Sequence, residues 1–462
     1  MKTNETTAAA APAPAQFPWR KIVALLGGQG VSLCGDYALL VSMIWTAVQL
    51  GGPAAVTTLM LAATIPRTLM LVFGGTVADR LGPRFVLLRT TSGRILLLAA
   101  GSALVFSVHA LWTLLIIAVV EGVLLGLGSP SYGTIMPQLI DDERLDRANS
   151  LYATVLRLAP IIGTPFGAWL IAFGKLWPCL ALVALTCAAN TVGLLYATKG
   201  MPKPVLATPA ESVPATASAE PKKRDSLLRG SGDGLRILAS NARLRWLFIS
   251  AFCLDLAFGW PLEVALPLLV KKQNWGVEAV GEVIAVFSAG ALVAGAVGAI
   301  LAHRISLQVR LVVTGVGIAA GIMAMAAAPS VLTLAATGFA VGLMCGLNGP
   351  AIVTTYQQAA QAASREKLGA SMSMLSLAGI GAAPVSVALF GALTLALGLQ
   401  TTWLLCGLVA LIGPVAAALA LRHPAETAIK SEPLIEDTVT VPDEFELSAE
   451  LIEQIQQIPV EV

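Results

Sequence analysis

Apolar runs long enough to cross a bilayer, separated by short polar stretches, set the pattern of this chain. A crossing needs roughly 20 apolar residues. The first run comes after the aromatic and basic anchor Trp19-Arg20-Lys21 and extends to about Leu50. Five more are predicted at about 54–78, 85–107, 111–137, 148–173 and 176–198. A second set of six falls at about 244–270, 277–302, 309–328, 331–355, 368–394 and 401–421. The reading is an all-α membrane protein of twelve transmembrane helices in two six-helix bundles, at 20–199 and 244–422. Residues 200–243 are dominated by Pro, Ala, Ser and Thr around a basic Lys222-Lys223-Arg224 cluster. That composition cannot sit in hydrocarbon and predicts a disordered cytoplasmic linker. Residues 1–19 form a polar, Ala/Pro/Thr-rich tail, and 423–462 an acidic one with ten carboxylates against Lys430.

Composition agrees. Only 12% of the 462 residues are charged and 56% are hydrophobic, against about a quarter charged in soluble domains. A net charge of +2 says nothing about partners, and no nucleic-acid partner is expected. Residues 1–18 lack the basic start and apolar core of a cleavable signal, so the first span is expected to be its own uncleaved signal. Arginines fix the orientation. Arg80, Arg84, Arg89, Arg144, Arg147, the linker cluster, Arg304, Arg310, Arg365, Lys367 and Arg422 fall on one side, against Lys175, Lys271 and Lys272 on the other. The positive-inside bias puts both termini in the cytoplasm.

Weak self-similarity accompanies the six-plus-six pattern. Gly74-x3-Ala78-x-Arg80 recurs as Gly298-x3-Ala302-x-Arg304. Gly126-Leu-x-x-Pro130-x3-Thr134-x3-Gln138 recurs as Gly346-Leu-x-x-Pro350-x3-Thr354-x3-Gln358, and Glu143-x-Leu145 as Glu366-x-Leu368. All three keep their order at a shift of about 220 residues, which predicts two homologous halves.

No catalytic arrangement is visible. The three histidines, His109, His303 and His423, stand at span ends, and there is no nucleophile motif or phosphate-cradling loop. The six cysteines, Cys34, Cys179, Cys187, Cys253, Cys345 and Cys406, lie inside apolar runs with no Cys-x-x-Cys pair, which fits packing better than metal or disulfide chemistry. The expectation is no enzyme, no metal and no cofactor.

The informative residues are charges deep in the spans, each costing at least ~2.5 kcal/mol to bury. They are Asp36, Arg67, Glu121 and Arg157 in the first half and Asp255 and Glu263 in the second. Such groups face a watery cavity and pair with opposite charge. Asp36 or Glu121 is therefore expected beside Arg157 or Arg67, either as a permanent helix-aligning ion pair or as a proton carrier. Met43, Trp45, Met60, Tyr132, Met136, Tyr152, Trp260, Asn348 and Tyr356, with Arg67, are candidates for lining a cavity that adapts to apolar ligands.

Between spans 2 and 3 stands Gly75-Thr-Val-Ala-Asp79-Arg80-Leu-Gly82-Pro-Arg84. It closely resembles the loop signature of major facilitator superfamily transporters, Gly-x-x-x-Asp-Arg-x-Gly-x-Arg, at every polar or glycine position. The resemblance covers residues 20–422. It implies two halves related by pseudo-two-fold symmetry about a midplane site, and a gating role for Gly75, Asp79, Arg80, Gly82 and Arg84. Gly35-Asp36, the stretch from Leu145 to Leu151 and the run Gly163-Thr-Pro165-Phe-Gly167 are similar to the macrolide and multidrug proton-antiporter branch. Two features depart from that branch. Thr164 separates a glycine and proline that the antiporter motif of span 5 keeps adjacent, and Glu121-Gly122 places an acid where span 4 commonly carries an arginine.

The resemblance implies a monomeric transporter in the bacterial cytoplasmic membrane that exchanges protons for small amphipathic substrates. Asp36, Glu121, Arg157, Asp255 and Glu263 are its coupling candidates, with the proton gradient as its energy source and lipids as its surroundings. Alternatives are an exporter dedicated to one metabolite or siderophore, and a non-transporting sensor or docking protein acting through the acidic tail.

Overall fold

The computed structural model describes residues 19–108, 110–139, 142–173, 175–199, 235–301, 304–363, 371–372, 374–375, 377–381 and 383–423. The linker core, both tails and a few side chains within helices lie outside this description. Helix α1, Trp19–Leu81, carries the first two predicted spans in two arms. They meet at Gly51 and Gly52, whose backbones leave helical geometry. Gly52 has φ 60, a left-handed value that glycine adopts without a Cβ penalty, and Pro53 restarts the helix.

Four helices complete the first half: α2 (Pro83–Ser107), α3 (Leu111–Leu139), α4 (Asp142–Ala172) and α5 (Trp177–Ala197). One residue separates α1 from α2, namely Gly82 at φ 83, with its N–H bonded to the Ala78 oxygen at 2.9 Å. The predicted turn is thus a single glycine, and Asp79 and Arg80 belong to the last helical turn of α1.

The second half begins with α6 (Ala242–Trp260), which runs through a five-residue π turn, Pro261–Ala265, into α7 (Leu266–Lys272). It continues with α8 (Glu278–Leu301), α9 (Thr314–Ala326) behind the π turn Val309–Val313, and α10 (Val331–Ala363). A third π turn, Leu377–Gly381, precedes α11 (Ala383–Leu397), and α12 (Leu399–Ala410) and α13 (Ile412–Arg422) close the bundle. Among the described residues ten helical segments are long and apolar enough to cross a membrane, and α11 is a shorter apolar helix. Counting the two arms of α1 separately and adding α11 gives twelve crossings. The chain is an integral membrane protein with an all-α fold.

The two halves repeat one contact. Gly122 and Gly126 of α3 lie on the backbone oxygens of Ala63 and Arg67 in the second arm of α1, so close that a Cβ would overlap them. Gly342 and Gly346 of α10 lie in the same way on Phe287 and Ala291 of α8. Small residues four apart let two helix backbones approach. Spacing and partners both recur at the shift seen in the sequence.

The apolar core is divided unevenly. At the end of the bundle that carries Trp19 and Arg422, called the terminal end below, each half has its own cluster. One holds Ile22, Leu25, Leu87, Ile135, Leu139 and Leu194. The other holds Leu244, Leu247, Leu311, Tyr356, Ala360 and Ala420. Towards the opposite, distal end one cluster spans both halves, joining Ala47, Val48, Ala55 and Val56 to Leu266, Leu269, Val270 and Val280. Gly281 of α8 packs on Thr164, Pro165 and Ala168 of α4, and Gly391 of α11 packs on Thr57. The halves are joined distally and have separate cores at the terminal end.

Candidate functional site

The described residues enclose a cavity of about 380 Å³, within the range of small-molecule sites. Its walls come from the first half, with Gln29, Asp36, Tyr37 and Met43 of the first arm of α1 and Met60, Thr64 and Arg67 of the second. Thr90, Thr91 and Arg94 of α2, Glu121, Ser129 and Tyr132 of α3 and Tyr152 of α4 complete them. Among the described residues the one lining residue from the second half is Glu263, carried on the π turn between α6 and α7. Of the predicted lining residues, Met43, Met60, Arg67, Tyr132 and Tyr152 are on this wall, and Trp45 is not.

At the centre Arg94 binds two carboxylates. Its Nε donates to Glu121 Oε1 at 2.8 Å, and Nη2 lies 2.5 Å from the same oxygen. Nη2 also donates to Asp36 Oδ1. Arg94 is buried, the Glu121 side chain is 10% exposed and that of Asp36 is 20% exposed, so Asp36 is the carboxylate nearer the cavity space. Glu121 Oε2 is buried with no hydrogen-bond partner among the described residues. A guanidinium presents five donors in a planar fork and stays charged, which suits it to hold two carboxylates at once.

This corrects the expected pairing. Neither Arg157 nor Arg67 bridges Asp36 and Glu121; Arg94 does, and it was not among the residues that the sequence singled out. Arg94 lies 11 residues beyond Pro83, about 16 Å along α2 at 1.5 Å per residue, which puts it deep in the span. It belongs to the buried stripe Leu87, Thr91, Arg94, Leu98 and Ser102, whose helical spacing turns it into the bundle. Periodicity around residue 94 was the signal that could have found it.

The backbone around Asp36 is held from α4. Gly163 packs on the oxygen of Cys34, and Gly167 on Ala38, at approaches that leave no room for a Cβ. Ser42 Oγ also donates to the Gly167 oxygen at 3.2 Å. The glycines of the antiporter-like run therefore clamp the turn that presents Asp36, while Thr164 and Pro165 meet Gly281 of α8. Beside the charges Asn190 Nδ2 donates to Gln29 Oε1 at 3.1 Å and to the Tyr132 hydroxyl at 2.7 Å. Arg67 lies within electrostatic reach of both Glu121 and Glu263.

Other singled-out residues lie elsewhere. The Arg157 guanidinium rests against Gly295 of α8, away from the cavity wall. Asp255 of α6 faces Gly379 in the third π turn. Asn348 is a buried brace, donating to the oxygens of Arg310 at 3.3 Å and Leu311 at 3.1 Å and to Thr314 Oγ1 at 2.9 Å. Tyr356 is fully buried, its hydroxyl bonded to the Ser371 oxygen at 3.1 Å. Neither Asn348 nor Tyr356 lines the cavity. The side chains of Met136, Trp260, Asp79 and Arg80 lie outside the described residues, as does the placement of Gly75 beyond its helical backbone. Arg84 is half-buried in the first turn of α2.

Comparison with known proteins agrees with this architecture. The chain is 23% identical over 393 residues to the uncharacterized MFS-type transporter y4rN of Sinorhizobium fredii, covering 83% of this chain and 90% of that one. It is 27% identical over 416 residues to the multidrug efflux pump Tap of Mycolicibacterium fortuitum, covering 86% and 95%. Among solved structures a mutant of the nucleoside transporter NupG superposes with TM-score 0.66 at 12% identity, over 87% of this chain and 99% of that one. A bacterial homolog of the human lysosomal transporter Spinster, inward-facing and unoccupied, superposes with TM-score 0.62 at 13% identity, over 90% and 98%. Residues 25–365 match the family description Major Facilitator Superfamily; with its paired six-helix halves and interior cavity, the chain belongs to that family of transporters.

Proposed function

We propose that this protein is a proton-coupled exporter of amphipathic small molecules, working by alternating access with its terminal end in the cytoplasm. The observation that carries this reading is the charge count of the cavity. One guanidinium, Arg94, serves two carboxylates, Asp36 and Glu121, and one carboxylate oxygen is left without a partner among the described residues. A buried set with one negative charge in excess is costly in a membrane and calls for a cation, either a proton or a charged substrate. The two compete, and that competition is what couples the flows. Met43, Met60, Tyr132 and Tyr152 on the wall are side chains that accommodate varied apolar shapes.

Export is favoured over uptake by the antiporter-like glycines clamping Asp36 and by the efflux pump among the relatives. The arginine bias supports a reading with both termini in the cytoplasm, in a bacterial cell membrane. Separate cores at the terminal end and a shared core distally are then the inward-facing half of the cycle. Asp79, Arg80 and Arg84 close that end in the other half.

The test is purified protein in liposomes under an imposed pH gradient, following a lipophilic fluorescent cation. Gradient-driven accumulation by wild type, lost in Asp36→Asn or Glu121→Gln with downhill exchange retained, supports the reading. Transport indifferent to the gradient sinks it. A single accepted compound in a substrate panel would favour the dedicated exporter. Loss of partners but not of transport on deleting 425–462 would assign a docking role to the tail.

A further inference from the structure

Asp36, Arg94 and Glu121 come from three different helices, α1, α2 and α3. With both acids ionised the set carries one excess negative charge. A single proton on either carboxylate makes it neutral, and a second would strand the buried guanidinium with no counter-ion. Removing one partner from a buried ion pair is strongly unfavourable, so the second protonation is opposed by the charge that the first leaves balanced. Two carboxylates so coupled take up protons as a unit.

The surrounding groups leave this count unchanged. From α1, Cys34, Tyr37 and Arg67 face the set; from α3, Tyr132; and from α5, Cys187. The thiols and phenols are neutral near neutral pH. Arg67 is matched by Glu263 across the boundary between the halves. Including that pair gives three carboxylates against two guanidiniums, still one in excess. Asp255 lies apart, on Gly379.

We propose that Arg94 is a positioning residue that fixes the proton capacity of the Asp36–Glu121 pair at one. A proton from solution forms an O–H bond to one carboxylate, Arg94 keeps its bonds to the other, and release reverses the step. The Glu121 Oε2 atom, unpartnered among the described residues, gives such a proton a place to land without displacing the guanidinium. Asp36 stands nearer the cavity, where proton and substrate meet. The inference rests on the proton-coupled reading for its use in transport, though not for its measurement.

Infrared difference spectra of the purified full-length protein, taken between alkaline and mildly acidic pH, count protonated carboxyls directly. The share belonging to the pair is the carboxylic-acid C=O band lost in the double variant Asp36→Asn/Glu121→Gln. In wild type this share should equal one carboxyl. In Arg94→Gln it should double, because no buried cation opposes the second proton, and in Arg94→Lys it should return to one. If Arg94→Gln does not fold, the single variants decide. In Asp36→Asn and in Glu121→Gln the remaining acid forms a neutral pair with Arg94, and the band should vanish. Equal bands in wild type and Arg94→Gln, two carboxyls or none in wild type, or a band persisting in both single variants would overturn the assignment. A single-carboxyl band together with gradient-indifferent transport would instead leave the capacity standing and remove the coupled reading.

Discussion

The Lys271 ammonium donates to the backbone oxygen of Val48, joining the two halves of the protein at the distal end. In an unbroken helix that oxygen would take the N–H of Gly52, four residues on, where α1 has left helical geometry. Lys271 thus caps a carbonyl at the negative end of a helix arm. In the alternating-access cycle proposed above, this contact would break as the distal end opens. Replacing Lys271 with Met should raise the outward-open population by about two- to five-fold, the equivalent of ~0.3–1 kcal/mol for a charge at a helix end. Distances between spin labels on the distal ends of α1 and α8 would register the shift; an unchanged distribution would show that the strut is idle.

Glu263 is the second half's single described contribution to the cavity wall. Glu263→Gln removes the excess negative charge of the five-charge set. Cationic probes should then bind roughly tenfold more weakly relative to neutral molecules of the same shape, a Coulombic loss of the size expected across several ångströms of protein. Competition assays with matched charged and neutral compounds would measure it, and equal losses for both would make Glu263 a packing residue.

The repeated glycine seam separates packing from function. Gly126→Val and Gly346→Val each force a side chain into a neighbouring helix backbone and should each lower stability by ~1–3 kcal/mol. Their transport phenotypes should differ. Gly126 rests on Arg67, whose side chain lines the cavity, whereas Gly346 rests on Ala291. Thermal unfolding in detergent should therefore shift alike for the two, while only Gly126→Val should alter probe affinity in the folded fraction.

Asn348 makes an opposite case. Its amide holds two carbonyls and a hydroxyl between α10 and the start of α9. Asn348→Leu removes all three of those bonds, leaving the Thr314 hydroxyl and the Arg310 oxygen bonded to each other, and should cost about 1–3 kcal/mol. Because Asn348 is off the cavity wall, the substrate range of the surviving protein should match wild type in the same panel.

Much of the fold was legible in the sequence because a bilayer imposes its own length on each apolar run, and the runs here are cleanly separated by Gly-Gly-Pro at 51–53 and by Gly82-Pro83. The repeat at Gly126 and Gly346 was legible because the same backbone approach demands glycine in both halves. Asp36 and Glu121 stood out as acids in hydrocarbon. Their partner did not, for two reasons. Arg94 comes soon enough after Arg84 and Arg89 to be absorbed into a basic loop when residues are counted rather than phased. Which cation meets which acid also depends on the adjacency of α1, α2 and α3, a relation between helices that no single run contains. Asn348 and Tyr356 looked like cavity residues for the same reason: a polar side chain in a span needs a partner, and pattern alone does not say whether that partner is a ligand or the neighbouring helix.

Among the described residues all three π turns, Pro261–Ala265, Val309–Val313 and Leu377–Gly381, belong to the second half. A π turn is a helix with a residue to spare, able to rotate the segment beyond it without breaking the rod. One of them carries Glu263 and another lies beneath Asp255. The first half is therefore the anvil, its shared arginine holding two acids in fixed register. The second is the spring, with slack stored in the turn that brings Glu263 to the cavity wall.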